Sequence, residues 1–512
     1  MRIRSTAIII SLLALTTPTI SAFSSQIDQV KIANQRESNK NIENYFEESK
    51  ALIDEGLDVK ENNPKAIKIL KMMNYVIEIS PENANAYAYR ARANNALLKN
   101  IEAISDAEKS IKIDSNNIDA LFALGVAKVL LGDYKGALNP LRKAKKIDPQ
   151  NINIYGWIGS AKIGLEEYKN ASKYFTKAIN IDPTDGYSYA RRASTKQYLQ
   201  DHNGAIEDFN KAIELKEVNQ AIYSQIGWSK MALKDYKGAI ENYSKGIDID
   251  KDNPNNYYLY EKRGESKVYL SDFKGGIKDF TKSIDINSKN AFAYAKRGEA
   301  KYSQENYKDA LFDLNKAINL DSKQSWFYRV RGYINYYLDE PKNAVSDFNN
   351  AILLNPEDPY IYVGSSVVKR QIKDYEGAKN DITKLINFYP KDAYPYSFRG
   401  SLKIDLEDYK GAITDLTRAI KIDPQIEGLY NNRCWAKYKL GKFKKALIDC
   451  DQALLLNPKD SYAYDSRGDV KFALGDKEGA CSDYKNAISN GYKEREGYLA
   501  SEEGSWCRNM PN

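Results

Sequence analysis

Histidine is almost missing from this chain: a single one, His202, stands with four Cys and five Met in 512 residues. One imidazole cannot build a Ser-His or Cys-His arrangement, and no Cys/His cluster has zinc spacing. No strand pattern is present, so no Gly-rich phosphate loop follows one. Beyond the first 22 residues, no apolar run is long enough to cross a bilayer. Charge of one sign is not concentrated either. The 76 Lys+Arg are offset by 69 Asp+Glu, a formal net charge of +7, with no basic run or basic-aromatic stripe. Such a balance is a solvated surface and gives no support to nucleic-acid binding. Catalytic residues, metal ligands and cofactor sites are therefore expected to be none, and His202 is expected to pack in a turn.

What the chain has instead is a period. Tyr-x-x-Arg-Gly begins at Tyr260, Tyr294, Tyr328 and Tyr396, and weaker copies keep the same 34-residue spacing. The small residue of each copy falls at Ala91, Gly125, Gly159, Ala193, Gly227, Gly264, Gly298, Gly332, Ser366, Gly400, Cys434 and Gly468. Every step is 34 except Gly227 to Gly264, which is 37; the three extra residues sit in the stretch Asp252 to Asn256. A second small residue, usually Ala, follows twelve later, as at Ala103, Ala137 and Ala310, and a third often seven after that. Two helices approach closely only where side chains are small, so this ladder marks the contact line between a helix A and a helix B. Pro149, Pro183, Pro356, Pro424 and Pro458 stand where helix B ends.

Tyr155, Gly159, Tyr168, Ala171, Phe175, Ala178 and Pro183 resemble the tetratricopeptide repeat family closely. That resemblance implies an all-α, right-handed superhelical solenoid of stacked helix-turn-helix repeats. It implies a binding scaffold and names no partner, because the fold serves unrelated partners. The expected organisation is a signal peptide at 1–22, a flexible segment at 23–41, a degenerate capping unit at 42–83, and repeats 1–5 at 84–253. An insertion at 254–256, repeats 6–12 at 257–494 and a C-terminal cap or tail at 495–512 complete it. In the capping unit, Pro64 opens the second helix and Ser80-Pro81 closes it. No three successive repeats carry the Lys and Asn set by which some family members grip a C-terminal carboxylate, so that mode is not expected.

The repeats also covary with one another. Arg stands at repeat position 7 in Arg90, Arg192, Arg263, Arg297, Arg331, Arg399, Arg433 and Arg467. Position 23 of the same repeats is Asp106, Asp208, Asp279, Asp313, Asp347, Asp415, Asp449 and Asp483. Of the four repeats without the arginine, only one has Asp there, Asp381. The pattern predicts structural ion pairs between helices A and B, such as Arg297 with Asp313 and Arg331 with Asp347.

Arg2 and Arg4, an apolar run at 7–15 and the ending Ile20-Ser21-Ala22 have the layout of a bacterial secretory signal cleaved after Ala22. The mature chain is then exported, periplasmic or secreted, with no membrane insertion; an uncleaved anchor is the competing reading. In an oxidising compartment Cys481 and Cys507 can bridge and fasten the tail over the last repeat. Cys434 and Cys450, at positions 8 and 24 of repeat 11, are close enough to bridge but are expected as buried thiols. The tail around Trp506 and Cys507 resembles those of cyanobacterial repeat proteins.

Helix A lines the inner surface in this fold class. The ligand groove is expected at its densest aromatic patch: Phe292, Glu299, Trp326, Arg329, Tyr333, Tyr336, Tyr337 and Tyr360. Aromatic groups with polar tips suit peptide recognition. The expected function is a non-catalytic exported scaffold that binds an extended peptide or protein segment there. The alternative is a structural component of an envelope complex acting through its convex face, its ends or self-association.

Overall fold

The computed structural model describes residues 17–57, 59–508 and 510. The apolar run at 7–15 and the arginines Arg2 and Arg4 lie outside the described residues. Helix follows helix, 28 in all, with no strand among the described residues. The chain forms two compact units, Met1–Ile249 and Asp250–Asn512. Their boundary falls beside the three extra residues, where Asn256 Nδ2 donates to the carbonyls of Asp250 and Lys251 at 2.7 and 3.2 Å.

Helix B starts sixteen residues after every predicted repeat start, from Asn100 in repeat 1 to Lys477 in repeat 12, and helix A starts within two residues of it. Local chemistry fixes these ends. Asn83, Asn117 and Asp185 cap helix A, and Asp133, Asp201 and Asp272 cap helix B, each side chain accepting a first-turn N–H. Between them the chain reverses through one left-handed residue, always position 15. It is Gly132, Gly441 and Gly475 in three repeats, but Leu98, Glu166, Lys234 and Asp339 are among those with φ near 60° and a side chain to accommodate.

Within a hairpin the small residues do what their spacing predicts. Ala103, Ala137 and Ala310 are fully buried. A Cβ on Gly159 would stand 2.7 Å from Phe175 Cζ, and one on Gly264 2.9 Å from Phe280 Cε1, so position 8 must stay small for helix B to close. Between repeats, helix A touches the next helix A in each unit, as Ala84–Ala96 does Ile118–Leu130 and Ser325–Tyr337 does Pro359–Gln371, while successive B helices make at most marginal contact. The A helices therefore crowd together and line the inner side of each unit.

Residues 23–41, expected as a flexible segment, lie within one helix, Thr17–Asp54. No Gly or Pro falls between 19 and 55, so nothing breaks it, and Ile42, Tyr45, Phe46 and Leu52 anchor it on Ile69, Met73 and Val76 of helix Pro64–Ile79. Cys434 and Cys450 are not thiols but a disulfide, Cα–Cα 5.4 Å, joining helices A and B of repeat 11. Positions 8 and 24 face each other in every hairpin, so two cysteines there meet. Cys481 and Cys507 form a second bridge, Cα–Cα 5.2 Å. It holds Trp506 against Phe472 and Tyr484, at ring distances of 5.1 and 6.3 Å.

Lys234→Gly removes the left-handed penalty at one turn and should raise stability by about 1 kcal/mol, read as a higher chemical-denaturation midpoint; an unchanged or lowered midpoint would count against it. The Cys434–Cys450 bridge spans 16 residues, so Cys434→Ala with Cys450→Ala should cost about 3 kcal/mol. Hydrogen exchange should place the loss in repeats 11 and 12.

Candidate functional site

Eight hairpins carry one polar cluster. In repeat 7, Arg297 on helix A grips Asp313 on helix B at two points, Nε to Oδ2 at 2.9 Å and Nη2 to Oδ1 at 2.7 Å. Arg331 and Asp347 do the same in repeat 8, with Nη2 to Oδ1 at 2.6 Å. So do the pairs that begin at Arg90, Arg192, Arg263, Arg399, Arg433 and Arg467. The tyrosine three residues earlier lies under the guanidinium, 5.5 Å away for Tyr294 and 5.6 Å for Tyr328. Nη1 reaches back to helix B of the preceding repeat: Arg297 to Thr281 Oγ1 at 3.1 Å, Arg331 to Asn315 Oδ1 at 2.8 Å, and Arg433 to Thr417 Oγ1 at 3.1 Å. One side chain thus ties three helices.

A third partner escaped the sequence reading. Lys301 Nζ stands 2.8 Å from Asp313 Oδ2, and Lys196, Lys267, Lys403, Lys437 and Lys471 stand likewise on their aspartates. The signal was a lysine four residues after the arginine, at the same 34-residue spacing. Asp381, which has no arginine, accepts from Ser365 Oγ at 2.6 Å and Lys369 Nζ at 2.7 Å instead. Burial works to raise the Asp415 carboxyl, but hydrogen bonds from Arg399 and Lys403 outweigh it and hold the group below its ordinary value. Every arginine of this row is occupied by its own carboxylate.

A different arrangement is open to solvent. Position 2 of five successive repeats is aromatic: Tyr258, Phe292, Trp326, Tyr360 and Tyr394. All are exposed except Trp326, which is half-buried; Tyr360 reaches 61% exposure. Cations lie against this column, Lys262 on Tyr258, Lys296 Nζ 4.6 Å from the Trp326 ring centre, and Arg329 on Tyr360. Each has an acidic partner: Glu265 at 3.0 Å, Glu299 at 2.9 Å and Asp358 at 3.2 Å. The surface offers large planar contact area with little net charge.

The expected groove residues therefore divide. Phe292, Glu299, Trp326, Arg329 and Tyr360 lie along the column. Tyr333 is a strut: its Oη donates to the Tyr360 carbonyl at 3.0 Å, its ring packs edge-on against Phe348, and burial pushes its phenol up. Tyr337 belongs to the hairpin turns, stacked at 5.2 Å on Tyr307, the first residue of the preceding helix B. Tyr198 stacks on Tyr168 the same way in the first unit, so the contact is architectural. Tyr336 packs edge-on against Tyr337. Glu261 is buried and accepts from Asn290 Nδ2 at 2.8 Å. His202 is buried with its ring edge-on to Trp228 at 5.2 Å. Among the described residues no group of three or more His, Cys, Asp or Glu is placed to hold a metal ion.

Five segments, residues 118–151, 152–185, 187–219, 221–253 and 393–426, match the tetratricopeptide repeat family. No curated protein matches the chain significantly. Among solved structures, it is similar to a tetratricopeptide repeat protein from Parabacteroides merdae at 18% identity over 57% of this chain and 99% of that one, TM-score 0.33. It is similar to yeast Tom70 at 16% identity over 83% of this chain and 95% of that one, TM-score 0.31. It is also similar to pilF of Pseudomonas aeruginosa at 16% identity over 43% of this chain and 97% of that one, TM-score 0.38.

Asp313 is fully buried between two cations, so Asp313→Ala leaves both unpaired and should cost about 3 kcal/mol. Asp133→Ala, which removes an exposed helix cap and a 3.9 Å surface ion pair with Lys128, should cost about 1 kcal/mol. Equal denaturation midpoints for the two variants would show that the cluster does not stabilise the hairpin.

Proposed function

The chain carries tetratricopeptide repeats, and on that premise we propose that it is a non-catalytic scaffold holding an extended peptide or protein segment along the aromatic column of its second unit. The carrying observation is the column itself. Aromatic side chains at position 2 of repeats 6 to 10 stand one per helix A, on the elements that line the inner side. A folded core hides such rings, whereas four of these five are exposed and Trp326 is only half-buried. Planar rings contribute contact area at small entropic cost. The cations on the column are matched by Glu265, Glu299 and Asp358, which favours a segment read by shape and apolar contact over one read by net charge.

Export is part of the proposal. All four cysteines are paired, as suits an oxidising compartment, and the first 22 residues have the composition of a secretory signal. Among the described residues no helix is long and apolar enough to cross a membrane. A second reading, an assembly component acting through helix B, draws on Ile448 and Leu455, 69% and 73% exposed seven residues apart on Phe443–Leu456.

Selection of random dodecapeptides on the full chain, repeated on a Trp326→Ala, Tyr360→Ala variant, tests the column. Peptides enriched on the parent should lose at least tenfold in affinity on the variant while Tyr337→Ala retains them. Peptides that bind both variants equally would remove the column from the proposal. Loss of self-association or assembly in Ile448→Asp, Leu455→Asp would favour the second reading.

A further inference from the structure

Position 11 of the repeat is lysine in ten of the twelve copies, and Asn94 and Asn335 replace it in repeats 1 and 8. In six repeats that lysine stands beside the arginine on the buried aspartate. Its side chain is then largely covered: Lys301 is 18% exposed and Lys437 16%, with Nζ 2.8 and 2.5 Å from the Oδ2 of Asp313 and Asp449. The chain thus shows six times over that this carboxylate takes a second cation.

In repeat 8 the shorter side chain borders a cavity of about 280 Å³. Leu311 and Asn315 line it from helix B of repeat 7, and Asn343, Ser346 and Asp347 from helix B of repeat 8. Among the described residues Asp347 pairs with one cation, Arg331, whose Nη1 also donates to Asn315 Oδ1 at 2.8 Å. Asn335 Nδ2 donates to Asp347 Oδ2 at 2.8 Å, the oxygen on which the lysine stands elsewhere. Asn343 and Ser346 are exposed and bring a carbonyl and a hydroxyl to the opening. Phe312, next to Leu311, is left 61% exposed.

We infer that this cavity is a docking socket for a lysine side chain of a partner protein, on the side formed by the B helices. The incoming ammonium takes the place of Asn335 Nδ2 on Asp347 Oδ2, and the amide, turned over, offers Oδ1 as a second acceptor. A charge-assisted bond replaces a neutral one. Asn343 and Ser346 accept the remaining N–H groups, and Leu311 and Phe312 cover the methylene stem. Lysine is specified because the chain's own lysines make this contact in six other repeats. Arginine fits less well, since the carboxylate edge that a second fork needs is already held by Arg331. The socket includes none of the position-2 rings and does not depend on the aromatic column.

The probe is Nα-acetyl-lysine N-methylamide, titrated into the full-length chain. Its Nε-acetylated form, which keeps the stem and loses the charge, and potassium chloride at equal concentration are the controls. The side-chain amide resonances of Asn343, assigned with Asn343→Ser, should move and saturate with the lysine probe. The Nε-acetylated form should bind at least tenfold more weakly, and potassium should leave the signals in place. Asn335→Lys restores the residue that ten other repeats carry, so it keeps the fold while tethering an ammonium in the cavity, and it should weaken the probe at least tenfold. Immobile Asn343 signals, equal affinity for the acetylated form, the same saturating shift with potassium, or unaltered binding to Asn335→Lys would overturn the socket.

Discussion

The buried carboxylate at position 23 is the constraint from which most of the repeat follows. Asp313 has no exposure at all and Asp279, Asp347, Asp449 and Asp483 have 3% or less. An ionised group so placed is tolerable only when charge and hydrogen bonds surround it. The arginine is therefore planar and two-pronged, because a fork satisfies both oxygens at once. The residue one turn along helix A takes what remains, a lysine in six repeats and Asn94 or Asn335 in the other two, and the tyrosine under the guanidinium supports its other face. Nη1 is left to reach the preceding helix B, so the same residue that closes a hairpin also stacks it. Tyr-x-x-Arg-Gly is thus a solvation shell for one aspartate, written in sequence order.

This explains what could be read from the sequence alone. The period and the small-residue ladder are visible because similar surroundings demand similar residues twelve times, and the Arg–Asp partnership because it recurs in eight of the twelve repeats. The position-15 turn was less legible: only three copies are glycine, and Leu98 or Lys234 shows no left-handed preference in its chemistry. The helix through residues 23–41 was not legible from their polar composition, and it follows from the lack of any Gly or Pro between 19 and 55. The Cys434–Cys450 bridge follows from two positions that face one another in the hairpin, where a cysteine could equally have packed as a small hydrophobe.

Aromatic residues were the hardest to sort. Tyrosine serves in this chain as cation support, as turn stack, as strut and as exposed column, and composition does not separate these uses. Repetition does. Tyr337 repeats a contact seen at Tyr198, which makes it architecture, whereas the position-2 rings repeat exposure.

The cross-links make the two ends of the array unequal. Both sit in the last two repeats and the tail, while the first unit contains no cysteine and relies on packing, hydrogen bonds and ion pairs. A translocase or protease threading the chain from its N-terminus would meet repeats that yield one after another. One starting at the C-terminus would meet closed covalent loops before any hairpin had opened. The molecule has a grain, and its handling by unfolding machinery depends on the end from which it is pulled.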